Sequence, residues 1–229
     1  MKINIAEKFE KLKKIKTRKI YFPSLWMDSN YTFKFCQIKN FSTLKDKQEL
    51  DLSNLNINDI SFLMDFHKLQ KINLSNNQIV DISPLRKLKK LTSINLEHNL
   101  FSNISPLFQL KNLQYLNLSS CRKIEWEKFP KYLKLNFLEI ANANFTDLKL
   151  IENLQYLIKI DLSNNSLTNL NSIYKLPNIE HLSISRNFII EISPVLLLKK
   201  LKFLDMRENP IEKYPEGLEK RNYSILTFE

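Results

Sequence analysis

The segments Lys71–Leu74, Ser93–Leu96, Tyr115–Leu118 and Lys159–Leu162 begin 22 residues, or twice 22, apart, and all end on Asn-Leu or Asp-Leu. A fixed return of this length constrains the fold more than any bulk property. A unit so short cannot bury its own apolar side, so neighbouring units must stack into one continuous core. Extending the step defines a ladder of equivalent positions: Leu55, Asn77, Asn99, Cys121, Ala143, Asn165, Asn187 and Asn209. Three residues before it stand Leu52, Leu74, Leu96, Leu118, Ile140, Leu162, Ile184 and Met206. Five before it stand Leu50, Ile72, Ile94, Leu116, Leu138, Ile160, Leu182 and Leu204, and eight after it Leu63, Leu85, Leu107, Phe129, Ile151, Ile173 and Val195.

In each Leu-x-Leu the two apolar residues point to one face of a short strand and the residue between them to the other. The ladder Asn can satisfy backbone groups in the tight turn that follows, where an unpaired buried group would be costly. Cys121 departs from Asn but is small and core-forming, so it reads as a buried structural residue. Ser83-Pro84 and Ser105-Pro106 read as N-cap and first-turn residues of short helical turns on the outer side.

The run Leu154-Gln-Tyr-Leu-Ile-Lys-Ile-Asp-Leu-Ser-Asn-Asn-Ser-Leu167 resembles the leucine-rich repeat. The even 22-residue length and the recurring Ile-Ser-Pro-Leu or Ile-Ser-Pro-Val resemble its short class, found in the protein phosphatase-1 regulatory subunit, the spliceosomal A-prime protein and bacterial internalins. The resemblance covers roughly residues 44–229. It implies an α/β solenoid: a right-handed, curved rod with a parallel sheet on its concave side and short helical or extended turns on its convex side.

Solenoids need their ends covered. Adding 22 to Leu204 and Met206 gives Leu226 and Phe228, so residues 224–229 are expected to form a capping strand after eight repeats, domain 44–229. Residues 1–43 are expected to form an N-terminal cap. Within it, Asn4 to Glu7 resembles a capping box, Ile5, Phe9, Leu12 and Ile15 form a helical apolar stripe, and Tyr31, Phe33 and Phe35 alternate as a strand would.

Composition removes several chemistries. The chain has one glycine, Gly217, so it cannot carry a phosphate-cradling loop, a dinucleotide turn or a nucleophile elbow, all of which need glycine. Cys36 and Cys121 form no C-x-x-C pair. His98 and His181 sit four repeats apart, too far to share a metal. No catalytic residue, metal site or cofactor is expected. No stretch approaches the length of a spanning helix and no secretory signal is readable, so the expected address is cytoplasmic.

Residues that alternate with the leucines should line the concave face, the usual binding face of this architecture. They fall six, four, two and one before each ladder position. These columns hold seven acids (Glu49, Asp51, Glu97, Glu139, Asp161, Asp205, Glu208) against four bases (Lys71, Lys159, Arg186, Arg207), while the chain as a whole carries +11. Residues 1–20 hold eight Lys and Arg against two Glu. An acidic concave face argues against nucleic acid there. Tyr115 and Phe137 share one column in adjacent repeats and are expected to form an exposed aromatic anchor, rimmed by Glu139, Lys159 and Asp161 and continued by His181, Phe203 and Asp205.

The reading that follows is a non-enzymatic scaffold or adaptor gripping a partner protein, as a monomer or as a subunit of a hetero-complex. The resemblance also raises a phosphatase regulatory role, or membership of an RNA-associated complex. The basic N-terminal helix raises attachment to a membrane surface.

Overall fold

The computed structural model describes residues 45–212, 214–218 and 224–226. The N-terminal cap expected over 1–43 lies outside them, as do residues 227–229. Nine three-residue strands are present among the described residues: β1 (Glu49–Asp51), β2 (Lys71–Asn73), β3 (Ser93–Asn95), β4 (Tyr115–Asn117), β5 (Phe137–Glu139), β6 (Lys159–Asp161), β7 (His181–Ser183), β8 (Phe203–Asp205) and β9 (Ser224–Leu226). They form a single sheet in chain order, every pair parallel. From β1 to β8 the register is the 22-residue step: Leu50 pairs with Ile72, Ile94 with Leu116, and Leu182 with Leu204.

The last step differs. Leu204 pairs with Ile225, and Asp205 with Leu226. The terminal strand is present where expected, but the connector before it is one residue shorter than a full repeat. The extrapolated equivalence of Leu204 with Leu226 is therefore off by one in the register.

From β1 to β8 the central residue of each strand and the apolar residue two positions on are buried, as at Ile72 and Leu74 or Leu182 and Ile184. They meet the apolar residues of the connectors in one core running the length of the sheet. Phe66, Phe101, Phe129 and Phe145 are its largest wholly buried rings. Between β1 and β8, six of the seven connectors carry a short 3-10 turn: Ser61–Asp65, Ser83–Lys87, Ser105–Gln109, Leu148–Leu150, Ile173–Lys175 and Ser193–Leu197. Pro84 and Pro106 sit in the first turn, where a missing N–H costs nothing.

The expected Ser caps are corrected. The N-cap positions are Ile82 and Ile104, with no side-chain cap bond of their own. The acceptor comes from one residue earlier: Asp81 Oδ1 takes the Ser83 N–H at 2.8 Å and Asn103 Oδ1 takes that of Ser105 at 2.8 Å. Asp59 and Glu191 do the same in other repeats, whereas Asp147 is itself the N-cap of its turn and accepts the Lys149 N–H.

The ladder Asn works as the spacing implied. The Nδ2 of Asn77 donates to the carbonyls of Leu52, Leu74 and Ser75, and its Oδ1 accepts from the N–H groups of Leu55 and Ile57. Asn99, Asn165, Asn187 and Asn209 repeat the pattern. Each side chain thereby ties two consecutive repeats together at buried carbonyls, and those of Leu74, Leu162 and Ile184 each accept from two ladder Asn residues.

The repeat between β4 and β5 is the irregular one. Its ladder positions at both ends are Cys121 and Ala143, and its connector contains no 3-10 turn. Cys121 is fully buried, as expected, and its thiol donates to the Leu96 carbonyl at 3.1 Å. Ala143 has nothing to donate to the Leu118 carbonyl, which takes the Cys121 N–H instead. Trp126 fills the space, edge-on to Phe145 at 5.0 Å with its Nε1 donating to the Ala143 carbonyl. No helix among the described residues is long and apolar enough to cross a membrane.

Candidate functional site

The first and third residues of the strands β1 to β8 alternate with the buried central residue and face away from the core. In the third column the short polar side chains are largely committed to the backbone. Asp51, Asn73, Asn95, Asn117, Asp161 and Asp205 each accept the N–H two residues on, at 2.8–3.3 Å. Three residues after each third-column position, the chain reaches φ values of 53–59° at Asn54, Asn76, His98, Ser120, Asn142, Asn164, Arg186 and Glu208. Short polar residues in the third column and a left-handed residue before each ladder position make one turn, complete in six repeats, with the left-handed residue present in eight. The sequence reading assigned Asp161 and Asp205 to partner contact and missed this turn role. The Asn-rich column before the ladder was the available signal.

The expected aromatic anchor is corrected. Tyr115 and Phe137 are register partners on β4 and β5, but Tyr115 is only 5% exposed. Its hydroxyl donates to Glu139 Oε2 at 3.2 Å, one strand over and two residues along. The ring therefore lies diagonally across the sheet and is covered by its neighbours; strands under 5 Å apart leave no room for it to stand clear. Burial and the neighbouring Glu139 charge push its hydroxyl well above the usual tyrosine range. Phe137 is half-buried.

Next to it, Glu139 and Lys159 form a pair at 3.6 Å with little exposure. Burial raises the Glu139 carboxyl above its ordinary value and lowers the Lys159 ammonium below its own, despite the attraction between them. Desolvation outweighs pairing, as is common for buried ion pairs.

The accessible part of the face lies further along. A groove of about 670 Å³ runs over β6, β7 and β8 and the turns that follow β5 to β8. Lys159, Asp161, His181, Phe203 and Asp205 of the expected set line it; Tyr115, Phe137 and Glu139 do not. Arg186, Arg207 and Glu208 join from the turns. His181 and Phe203 are register partners with ring centres 6.2 Å apart, both half-buried. Burial lowers the His181 imidazole below its ordinary value. Arg207 bonds Asp205 through two nitrogens at 2.8 Å each, and Arg186 pairs with Glu208 at 2.9 Å. Burial works to raise the Asp205 carboxyl, but the Arg207 bonds outweigh it and hold the group below its usual value. The groove thus offers both signs of charge, already paired, around two flat rings. Among the described residues no three His, Cys, Asp or Glu are grouped to hold a metal ion.

Comparison with known proteins agrees with this architecture. A family model described as leucine-rich repeats (two copies) matches residues 48–87 and 67–109. Internalin C2 of Listeria monocytogenes is similar in structure, with a TM-score of 0.72 at 23% identity over 79% of this chain and 80% of that one. A second internalin of that species, inlF, gives 0.63 at 24% identity over 80% and 61%. A leucine-rich-repeat protein of Leptospira interrogans gives 0.71 at 28% identity, over 82% of this chain and 51% of its own, so this chain spans about half the Leptospira protein. No curated protein matches the chain by sequence.

Proposed function

We propose, from the premise that the chain is a leucine-rich-repeat protein, that it is a non-enzymatic scaffold holding a partner protein in the groove over β6 to β8. Proteins of this architecture generally serve as protein–protein interaction scaffolds. The observation that carries the finer reading is the His181–Phe203 pair at the centre of the groove, ringed by Lys159, Arg186, Arg207 and Glu208. Protein interfaces concentrate their binding energy in a few aromatic and arginine anchors inside a polar rim. Charges of both signs, each already paired, suit the mixed surface of a folded protein better than a uniform polyanion.

The test is affinity purification from the native cell followed by titration calorimetry with the purified partner. Phe203→Ala and Arg186→Ala should each weaken that partner by about 2 kcal/mol or more, roughly thirty-fold. Retention of full affinity by both would remove the groove as the binding site. The cytoplasmic address expected above belongs to this proposal. A buried free thiol at Cys121 suits a reducing compartment.

A further inference from the structure

One edge of the solenoid, between the 3-10 turns and the next strand, carries lysines in almost every repeat. Towards both ends of the described solenoid several of these lysines are compensated, although Lys199 and Lys200 have no ion pair among the described residues. Lys45 pairs with Asp65 at 2.6 Å and Lys68 with Asp46 at 2.7 Å. Further along, Lys128 and Lys175 share Glu152 at 2.6 and 2.8 Å, and Lys202 pairs with Glu180 at 2.6 Å. In the middle the compensation stops. Arg86, Lys87, Lys90, Lys111 and Lys131 are exposed, and none has an ion pair among the described residues. From Ser83 to Ser120 the only acid is Glu97, which belongs to the opposite, open side of the sheet. The residues are brought together by the stacking itself: Asn112 Nδ2 donates to the Lys89 carbonyl at 2.9 Å, and Lys89 Nζ to that of Gln109 at 3.2 Å.

Where this row ends, two exposed tyrosines stand beside Lys131 and Lys134. Tyr132 and Tyr156 are 48% and 49% exposed, and Lys134 Nζ lies 5.8 Å from the Tyr156 ring centre. Between Lys87 and Tyr156 the large exposed apolar side chains of this edge are these tyrosines alone.

We propose that this edge binds single-stranded nucleic acid, with backbone phosphates along the row of Lys87, Lys90 and Lys111 and bases stacked on Tyr132 and Tyr156. Uncompensated cations in a row supply the sequence-independent term that holds phosphates. Exposed flat rings at the end of such a row are what a base can stack on. An anionic membrane would call for aliphatic or indole side chains to insert, and among the described residues between Lys87 and Tyr156 this edge exposes none. An acidic polypeptide would have no use for the rings. The site is separate from the groove, so the two readings stand or fall independently.

Fluorescence anisotropy of a labelled oligothymidylate of about 20 nucleotides tests it, using the full chain at about 50 and about 200 mM salt. Lys90→Gln with Lys111→Gln should weaken binding about ten-fold or more at the lower salt and flatten the log–log salt slope by about 1.4. Lys123→Gln with Lys149→Gln, an equal change of net charge elsewhere, should leave both unchanged. Tyr132→Ala with Tyr156→Ala should weaken binding about five-fold or more without altering the slope. All positions changed are exposed, and circular dichroism checks that the variants remain folded. The proposal is overturned by absence of binding, by unchanged affinity of the Lys90 and Lys111 variant, or by equal loss in the charge control. It is also overturned if the same lysines bind phosphatidylserine vesicles in place of the oligonucleotide, or if polyglutamate competes as well as unlabelled oligonucleotide does.

Discussion

Asn99 Nδ2 donates to the carbonyl of Leu74, 25 residues upstream, at 2.9 Å, and to that of Leu96 in its own repeat at 2.9 Å. One primary amide therefore closes the turn of one repeat onto the turn of the previous one. Its Oδ1 accepts the Ile79 N–H at 3.1 Å. Asn99→Ala leaves the buried Ile79 N–H without this acceptor and takes one of two donors from each of the Leu74 and Leu96 carbonyls, at about 1–3 kcal/mol for each buried group left unsatisfied. A loss of about 3 kcal/mol is expected by urea denaturation. A loss below about 1 kcal/mol would mean that the ladder is ornamental.

The residue before each ladder position is left-handed, and this cost belongs to the backbone alone. Asn164 has φ 55° and is exposed. Asn164→Val should destabilise by about 1–2 kcal/mol, because a β-branched residue clashes with its own backbone there. Asn164→Gly should stay within about 0.5 kcal/mol. Equal effects of the two substitutions would show that conformation is not the cause.

Glu152 is bonded by Lys128 and Lys175 at 2.6 and 2.8 Å, and these bonds lower its carboxyl to about 2. A carboxyl lowered in the folded state adds stability above its unfolded value, near 4.5, and that stability is lost as pH falls towards 2. Thermal melts between those pH values should show the wild type losing stability more steeply than Glu152→Gln. Parallel curves would show that the two lysine bonds are screened away in solution.

Burial pushes the Cys121 thiol up to about 12. At pH 8 about one molecule in ten thousand would carry the thiolate. Maleimide labelling followed by peptide mass mapping should find Cys121 unmodified in the native protein and labelled in urea. Rapid labelling under native conditions would reveal frequent opening of the irregular repeat.

Comparing Leu74, Leu96 and Leu118 with one another needed no coordinates. Burial of a one-sided repeat imposes the same apolar residue at the same step, so the parallel sheet, the core columns and the Asn ladder were all legible. The terminal strand was legible too, but its register was not, because a one-residue deletion in the connector leaves no trace in the spacing of Leu226 and Phe228.

Tyr115 shows where that reading stops. Its column points away from the core, but pointing outward on a sheet is not the same as being exposed. Whether a ring stands clear depends on Phe137 and Glu139 beside it, and their positions come from the stacking of the strands. The same holds for Lys90 and Lys111. Their charges were visible in the chain, but the acids that pair with other lysines of this edge lie 20 to 24 residues away. Periodicity settles the core because burial acts on each repeat alike. Exposure and ion pairing depend on what each neighbouring repeat happens to supply, so only the assembled stack decides them.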